Sequence, residues 1–226
     1  MIQTVNVSKI YKTGMIALDD INIQVQAGEF VFLTGASGAG KSTLIRLLFR
    51  EELPSAGKIF IAGRNIDRLS SKQRLILRRN IGIIFQDFRL LEKSSVFNNV
   101  AFAMKALEKP WVEIKRRVPE VLEKMGLSGR EKELVQHLSG GEEQRGGVAR
   151  AVVNMPHIVF ADEPTGDLDP QTSWGLMQVF KQINLEGTTV VMATHDKEIV
   201  NLMQNRVLVL DKGRLIKDEA KGGWAL

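Results

Sequence analysis

The chain has 226 residues, no cysteine, a formal net charge of +5, and 44% hydrophobic against 25% charged residues. That balance suits a soluble protein with its own core and excludes disulfide frameworks and thiol chemistry. No stretch nears roughly eighteen consecutive apolar residues, so no membrane-spanning helix is expected. Met1-Ile2-Gln3-Thr4 also lacks the basic-then-apolar start of a secretory leader.

In chain order, the alternation Ile21-Asn22-Ile23-Gln24-Val25 predicts a strand with one buried face. Phe30-Val31-Phe32-Leu33 is apolar on both faces, as a central strand should be. Leu44, Ile45, Leu47 and Leu48 give the next segment a helical apolar face. Pro54-Ser55-Ala56-Gly57 predicts a turn before a strand at Lys58–Ile61, and Ile81–Phe85 predicts a second buried strand. From about Ser94 to Ala151 helical spacing takes over, interrupted at Pro110 and between Gly126 and Gly129. Strands return at Ile158–Ala161 and Thr189–Ala193, and a hairpin over Val207–Ile216 turns on Asp211-Lys212-Gly213. This is an α/β core with an inserted helical subdomain. The basic clusters Arg78-Arg79 and Lys115-Arg116-Arg117 fall in predicted helices and are expected to be solvated faces.

Gly35-Ala36-Ser37-Gly38-Ala39-Gly40-Lys41-Ser42, between a buried strand and a helix, fits the phosphate-loop pattern. Its glycines let backbone N–H groups converge on phosphate oxygens, and the following helix aims its positive end at them. Lys41 then neutralises phosphate charge and the Ser42 hydroxyl is a Mg²⁺ ligand. A second apolar strand ends in Asp162-Glu163: Asp162 suits the metal, and Glu163 suits the attacking water. His195 follows another strand of the same core, where a γ-phosphate contact is expected. Gln86 closes the strand at 81–85, within reach of metal or water. Tyr11, the single tyrosine, could stack on an adenine ring.

With Leu138-Ser139-Gly140-Gly141-Glu142 added, the chain resembles an ATP-binding-cassette (ABC) nucleotide-binding domain over essentially its whole length. The resemblance implies one cassette over 1–226. Its phosphate-loop α/β core, a mixed sheet with an antiparallel N-terminal part, occupies 1–92 and 152–226, and a helical signature subdomain spans about 93–151. It implies ATP and Mg²⁺ as cofactors, with Tyr11, Gly35 through Thr43, Ser139, Gly140, Gly141, Glu142 and Asp169 around the nucleotide. Ser42, Gln86 and Asp162 are placed at the metal, and Glu163, His195 and Gln86 at the chemistry. Gly166-Asp167-Leu168-Asp169 is then the D-loop. Two copies would face head to tail, the signature of each completing the other's site.

The segments Phe85–Leu91 and Glu163–Pro170 resemble those of the family's cell-division branch. That implies a peripheral subunit on the cytoplasmic face of the membrane, partnered by a four-span protein resembling FtsX and regulating peptidoglycan hydrolases. Cassettes for lipoprotein release, macrolide efflux or amino-acid uptake share the catalytic residues and are the alternative. Nucleic acid is not an expected partner, since soluble repair and translation cassettes carry paired cassettes or long coiled coils. Phe88, Leu90, Leu91, Val96 and Phe97 are the expected partner-facing residues. Glu142-Glu143, where a glutamine pair is commoner, Ala36, and Gly146-Gly147 depart from the family pattern; the last pair predicts a locally soft signature helix.

Overall fold

The computed structural model describes residues 1–166 and 168–221. Strands β1 (Ile2–Ile10), β2 (Ile16–Val25) and β3 (Phe30–Thr34) lead into helix α1 (Lys41–Leu48). β4 (Ala56–Ile61), the short β5 (Arg64–Asn65), α2 (Ser71–Arg79) and β6 (Ile81–Ile84) follow. Then come α3 (Val96–Lys105), α4 (Trp111–Lys124) and α5 (Gly140–Val152), with no strand among them. β7 (Ile158–Asp162), α6 (Pro170–Leu185), β8 (Thr189–Ala193), α7 (Lys197–Met203), β9 (Arg206–Asp211) and β10 (Arg214–Glu219) complete the described chain.

Two sheets result. One is antiparallel in the order β2-β1-β4-β5; the other runs β10-β9-β3-β8-β7-β6. In the second, β9, β3, β8, β7 and β6 are parallel, and β10 returns antiparallel on β9. The central strands are buried on both faces, and alternation splits their side chains between two cores. Val31, Leu33, Ile158, Phe160, Val191 and Ala193 pack toward α1 and the antiparallel sheet. Phe30, Phe32, Val159, Ala161, Val190 and Met192 pack toward α3, α4, α5 and α6.

Local chemistry sets the ends of the helices. Ser70 caps α2 and Ser139 caps α5, each in a reciprocal capping box with the residue three positions on. Asp169 caps α6 ahead of Pro170 at its first position. Pro110 precedes α4, whose interior nonetheless accommodates Pro119. The turn expected at Pro54–Gly57 ends earlier: Ala56 and Gly57 already belong to β4. Among the described residues no helix is long and apolar enough to cross a membrane.

Candidate functional site

Parallel neighbours end on one rim, so Thr34, Asp162 and Ala193 deliver the segments that follow them to the same place. The chain leaves β3 through Gly35, where φ is 140° and an added Cβ would stand 2.1 Å from the Leu210 carbonyl oxygen. Only glycine fits that approach. Residues 35–43 then wrap an open cleft of about 750 Å³, also lined by Gln86, Glu163 and His195.

Within it, Lys41 Nζ donates to the carbonyls of Gly35 at 2.8 Å and Ala36 at 3.2 Å, and lies 3.6 Å from Glu163 Oε1. Ser42 Oγ donates to Asp162 Oδ1 at 3.1 Å. Burial pushes the Asp162 carboxyl above the usual carboxylate range, against the Ser42 hydrogen bond, and the Glu163 charge adds to the rise. Glu163 takes a left-handed backbone (φ 51°), and its N–H donates to the Ala193 carbonyl at 2.9 Å. Its Oε2 accepts the His195 backbone N–H at 3.2 Å and meets His195 Nδ1 at 2.8 Å. The carboxylate is thus held between a lysine and an imidazole, each from a different strand end. Gln86 borders this cleft and an adjoining hollow that contains Ser42, Arg46 and Asp162.

Other expected residues lie apart. Tyr11 opens the turn between β1 and β2, its hydroxyl 3.3 Å from Thr43 Oγ1 and 3.2 Å from Glu52. The apolar side chains that border the cleft there are Met15 and Ile16, both 58% exposed. Ser139, Gly140, Gly141 and Glu142 stand at the start of α5 and do not line the cleft. Glu142 Oε2 accepts from Ser139 N and Oγ, each at 2.9 Å, and these bonds hold its carboxyl below the usual range. These bonds hold Glu142 on Ser139. Asp169 is spent on the Thr172 N–H at 3.0 Å, while Asp167 lies outside the described residues.

Sequence reasoning missed three side chains. Thr172 packs on Gly141 so closely that an alanine Cβ would reach its Cγ2 at 2.6 Å, which locks the signature to the start of α6. Asn99, 1% exposed, bonds Leu91 N and O together with the carbonyls of Ser94 and Ser95. Arg150 grips the turn after Gln86. A polar residue on a helix's buried face was the available signal for Asn99; the other two left none.

The expected partner-facing set needs correction. Val96 is core, Phe97 stacks edge-on against Trp111 at 5.9 Å, and Phe88 and Leu90 lie on Gly147 and Gly146. Leu91 alone is exposed. A groove of about 510 Å³ lies between β6 and α3, where Leu75, Phe85, Phe102 and Leu107 share the lining with Arg78, Arg79 and Arg150. Gly146 and Gly147 are buried in α5, facing Leu90 and Phe88. Of the basic clusters, Arg117 turns inward to the Val153 carbonyl at 3.3 Å.

A family model described as "ABC transporter" matches residues 18–166. The chain is 48% identical over 225 residues to the cell division ATP-binding protein FtsE of Bacillus subtilis, covering 99% of this chain and 98% of that one. It is 49% identical over 227 residues to the FtsE protein of Mycobacterium tuberculosis, covering 100% and 99%. Among solved structures, it superposes on the dimeric bacterial ABC transporter cassette MJ0796 with a TM-score of 0.90 at 33% identity, covering 99% and 100%. A post-hydrolysis form of that cassette with ADP and Pi gives 0.88 at 32% identity.

Proposed function

The chain belongs to the ABC transporter family and is an FtsE-like ATPase of cell division, and from that premise we propose that it works as an ATP-clamped homodimer beneath a membrane partner. One observation carries the dimer: Lys41, Ser42, Glu163 and His195 converge on one cleft, with Asp162 joined to it through Ser42, while Ser139, Gly140 and Gly141 of the same chain stand outside it. A second copy, facing head to tail, supplies the missing serine and N–H groups to the γ-phosphate. The match to a dimeric cassette supports that arrangement.

The residues present suit Mg²⁺. Ser42 Oγ and Asp162 Oδ1 are hard oxygen donors 3.1 Å apart at the mouth of the phosphate cradle, with Gln86 in the same cleft. Among the described residues no three His, Asp or Glu side chains gather to hold a metal alone. Held by Ser42 and Asp162 beside a bound nucleotide, the ion would neutralise charge on the phosphate oxygens. Lys41 exchanges the Gly35 and Ala36 carbonyls for β- and γ-phosphate oxygens. That frees Glu163 to accept a hydrogen bond from the attacking water, with His195 fixing its carboxylate. Tyr11, Met15 and Ile16 offer the surface for the base. Hydrolysis removes the contacts that bridge the two copies, and the dimer reopens.

The partner we infer is a four-span protein resembling FtsX, docking in the groove that contains Phe102, which is 59% exposed. The pair would sit at the cytoplasmic face of the inner membrane and control peptidoglycan hydrolases. The test is Glu163→Gln with Mg²⁺-ATP, sized by light scattering and then used to capture partners from solubilised membranes. A dimer that brings down a four-span protein, and loses it with Phe102→Glu, is expected. A monomer at saturating ATP refutes completion by a second copy. A many-span permease makes the chain a transport cassette of the lipoprotein-release, macrolide-efflux or amino-acid-uptake kind.

A further inference from the structure

Gln86 is followed by a tight turn, closed by the Phe88 N–H on the Phe85 carbonyl at 3.1 Å. Phe88 and Arg89 both take left-handed backbones, with φ of 47° and 50°, a region that non-glycine residues avoid. Within the turn, the Arg89 N–H donates to the Asp87 carbonyl, and the exposed Arg89 guanidinium lies 3.8 Å from the Phe85 ring centroid. The carbonyls of Phe88 and Arg89 are taken up from elsewhere. Arg150 on α5 donates from Nη1 to the Arg89 carbonyl at 2.6 Å and from Nη2 to the Phe88 carbonyl. The guanidinium is half-buried, and burial pulls its pKa below the ordinary arginine value, so the two carbonyls compensate a desolvated charge.

The rest of α5 is shaped for the same contact. At Gly147 an added Cβ would stand 3.4 Å from Phe88 Cβ, and at Gly146 3.4 Å from Leu90 Cδ1. The paired glycines let the turn after Gln86 lie directly on the helix backbone. At its other end, α5 begins at Gly140 with Ser139 as its cap. Arg150 and Ser139 are thus about 16 Å apart along one rigid rod, at 1.5 Å per residue.

We propose that Arg150 is a positioning residue that ties Gln86 to the signature helix, so that Gln86 reaches the reacting phosphate only when its own α5 is seated on the opposite copy's nucleotide. The inference rests on the reading of Gln86 and Ser139 given above. Its physical content is geometric. A planar guanidinium with two parallel donors fixes the orientation as well as the distance of two successive carbonyls, which an ammonium cannot do. Each cassette thereby senses closure at its partner's site and reports it to its own.

The test is steady-state ATPase of the full chain against Mg²⁺-ATP concentration, with melting midpoint and nucleotide affinity measured alongside. Arg150→Met is expected to lower kcat about tenfold or more with KM within about twofold, the signature of an interaction made only in the reacting state. Arg150→Lys should recover only part. Gly147→Val pushes Phe88 off the helix without removing a charge, so it should reproduce the split; it carries the test if Arg150→Met fails to fold. In the double variant Arg150→Met/Gln86→Ala, kcat should fall to about that of Gln86→Ala alone, because the two act as a unit. A kcat for folded Arg150→Met within about twofold of the parent overturns the tether, and so do losses that multiply in the double variant. If Gln86→Ala itself turns over like the parent, the site reading fails first, and the tether falls with it.

Discussion

Gly35 and Gly38 lie three residues apart in the same loop, yet alanine should cost very different amounts at the two positions. At Gly38 φ is 77° and nothing stands within 4 Å of an added Cβ, so Gly38→Ala meets only the left-handed backbone penalty, about 1–2 kcal/mol. At Gly35 the same Cβ would sit 2.1 Å from the Leu210 carbonyl oxygen and 3.1 Å from its carbon. Relief requires a shift of about an ångström between β3 and β9, which are hydrogen-bonded neighbours with Thr34 opposite Val209. Overpacking of that kind adds about 1–3 kcal/mol, for a total of about 2–5 kcal/mol. For a chain of this size each kcal/mol moves the melting midpoint by about 2–4 °C. Gly38→Ala is therefore expected to melt about 2–8 °C below the parent, and Gly35→Ala about 4–20 °C below, always the lower of the pair. Calorimetry or a dye-based melt of the nucleotide-free chain reads both. Equal midpoints would refute the argument that the Leu210 contact, rather than backbone freedom, demands glycine at position 35.

Glu163→Gln keeps an oxygen for the His195 N–H but loses the basic carboxylate, so turnover should fall about a hundredfold to ten-thousandfold with ATP affinity kept. Turnover equal to the parent's would exclude Glu163 as the base. Because the Asp162 carboxyl is held above its usual range, folding favours its protonated form; that contribution is complete below the unfolded pKa and lost as pH rises through the folded one. Asp162→Asn should accordingly melt above the nucleotide-free parent at about pH 8, the gain fading toward about pH 4; a gain that grows on acidification contradicts this. Asn99→Ala orphans the Leu91 N–H, while the carbonyls of Leu91, Ser94 and Ser95 keep backbone donors, and should cost about 1–3 kcal/mol, or about 2–12 °C. A melt within about a degree of the parent would mean that water replaces the amide.

Much of the fold was legible because its signals are local. The central strands Phe30–Thr34, Ile158–Asp162 and Thr189–Ala193 read as apolar runs, since both of their faces are covered. β1 was not legible: its pairing with β2 shifts register between Thr4 and Val7, and twice more before Ile10, which breaks the two-residue period. Pro119 lies inside α4, where proline removes a helix hydrogen bond. There the buried face of Ile114, Val118, Val121 and Leu122 outweighs one missing N–H.

The site divides the same way. A phosphate cradle needs consecutive backbone N–H groups, so Gly35 through Ser42 had to be contiguous and could be read from the sequence by itself, as could the acids that end β7. The sequence thus determined the family, the α/β core and the presence of a nucleotide cradle. Only the tertiary structure decided how the side chains meet: Lys41 and His195 on Glu163, Thr172 against Gly141, Asn99 closing its turn, and Arg150 on the carbonyls beyond Gln86. Those contacts join residues far apart in the chain, where no periodicity or spacing records them. Their geometry is fixed by sheet order and by the approach of α5 to the core.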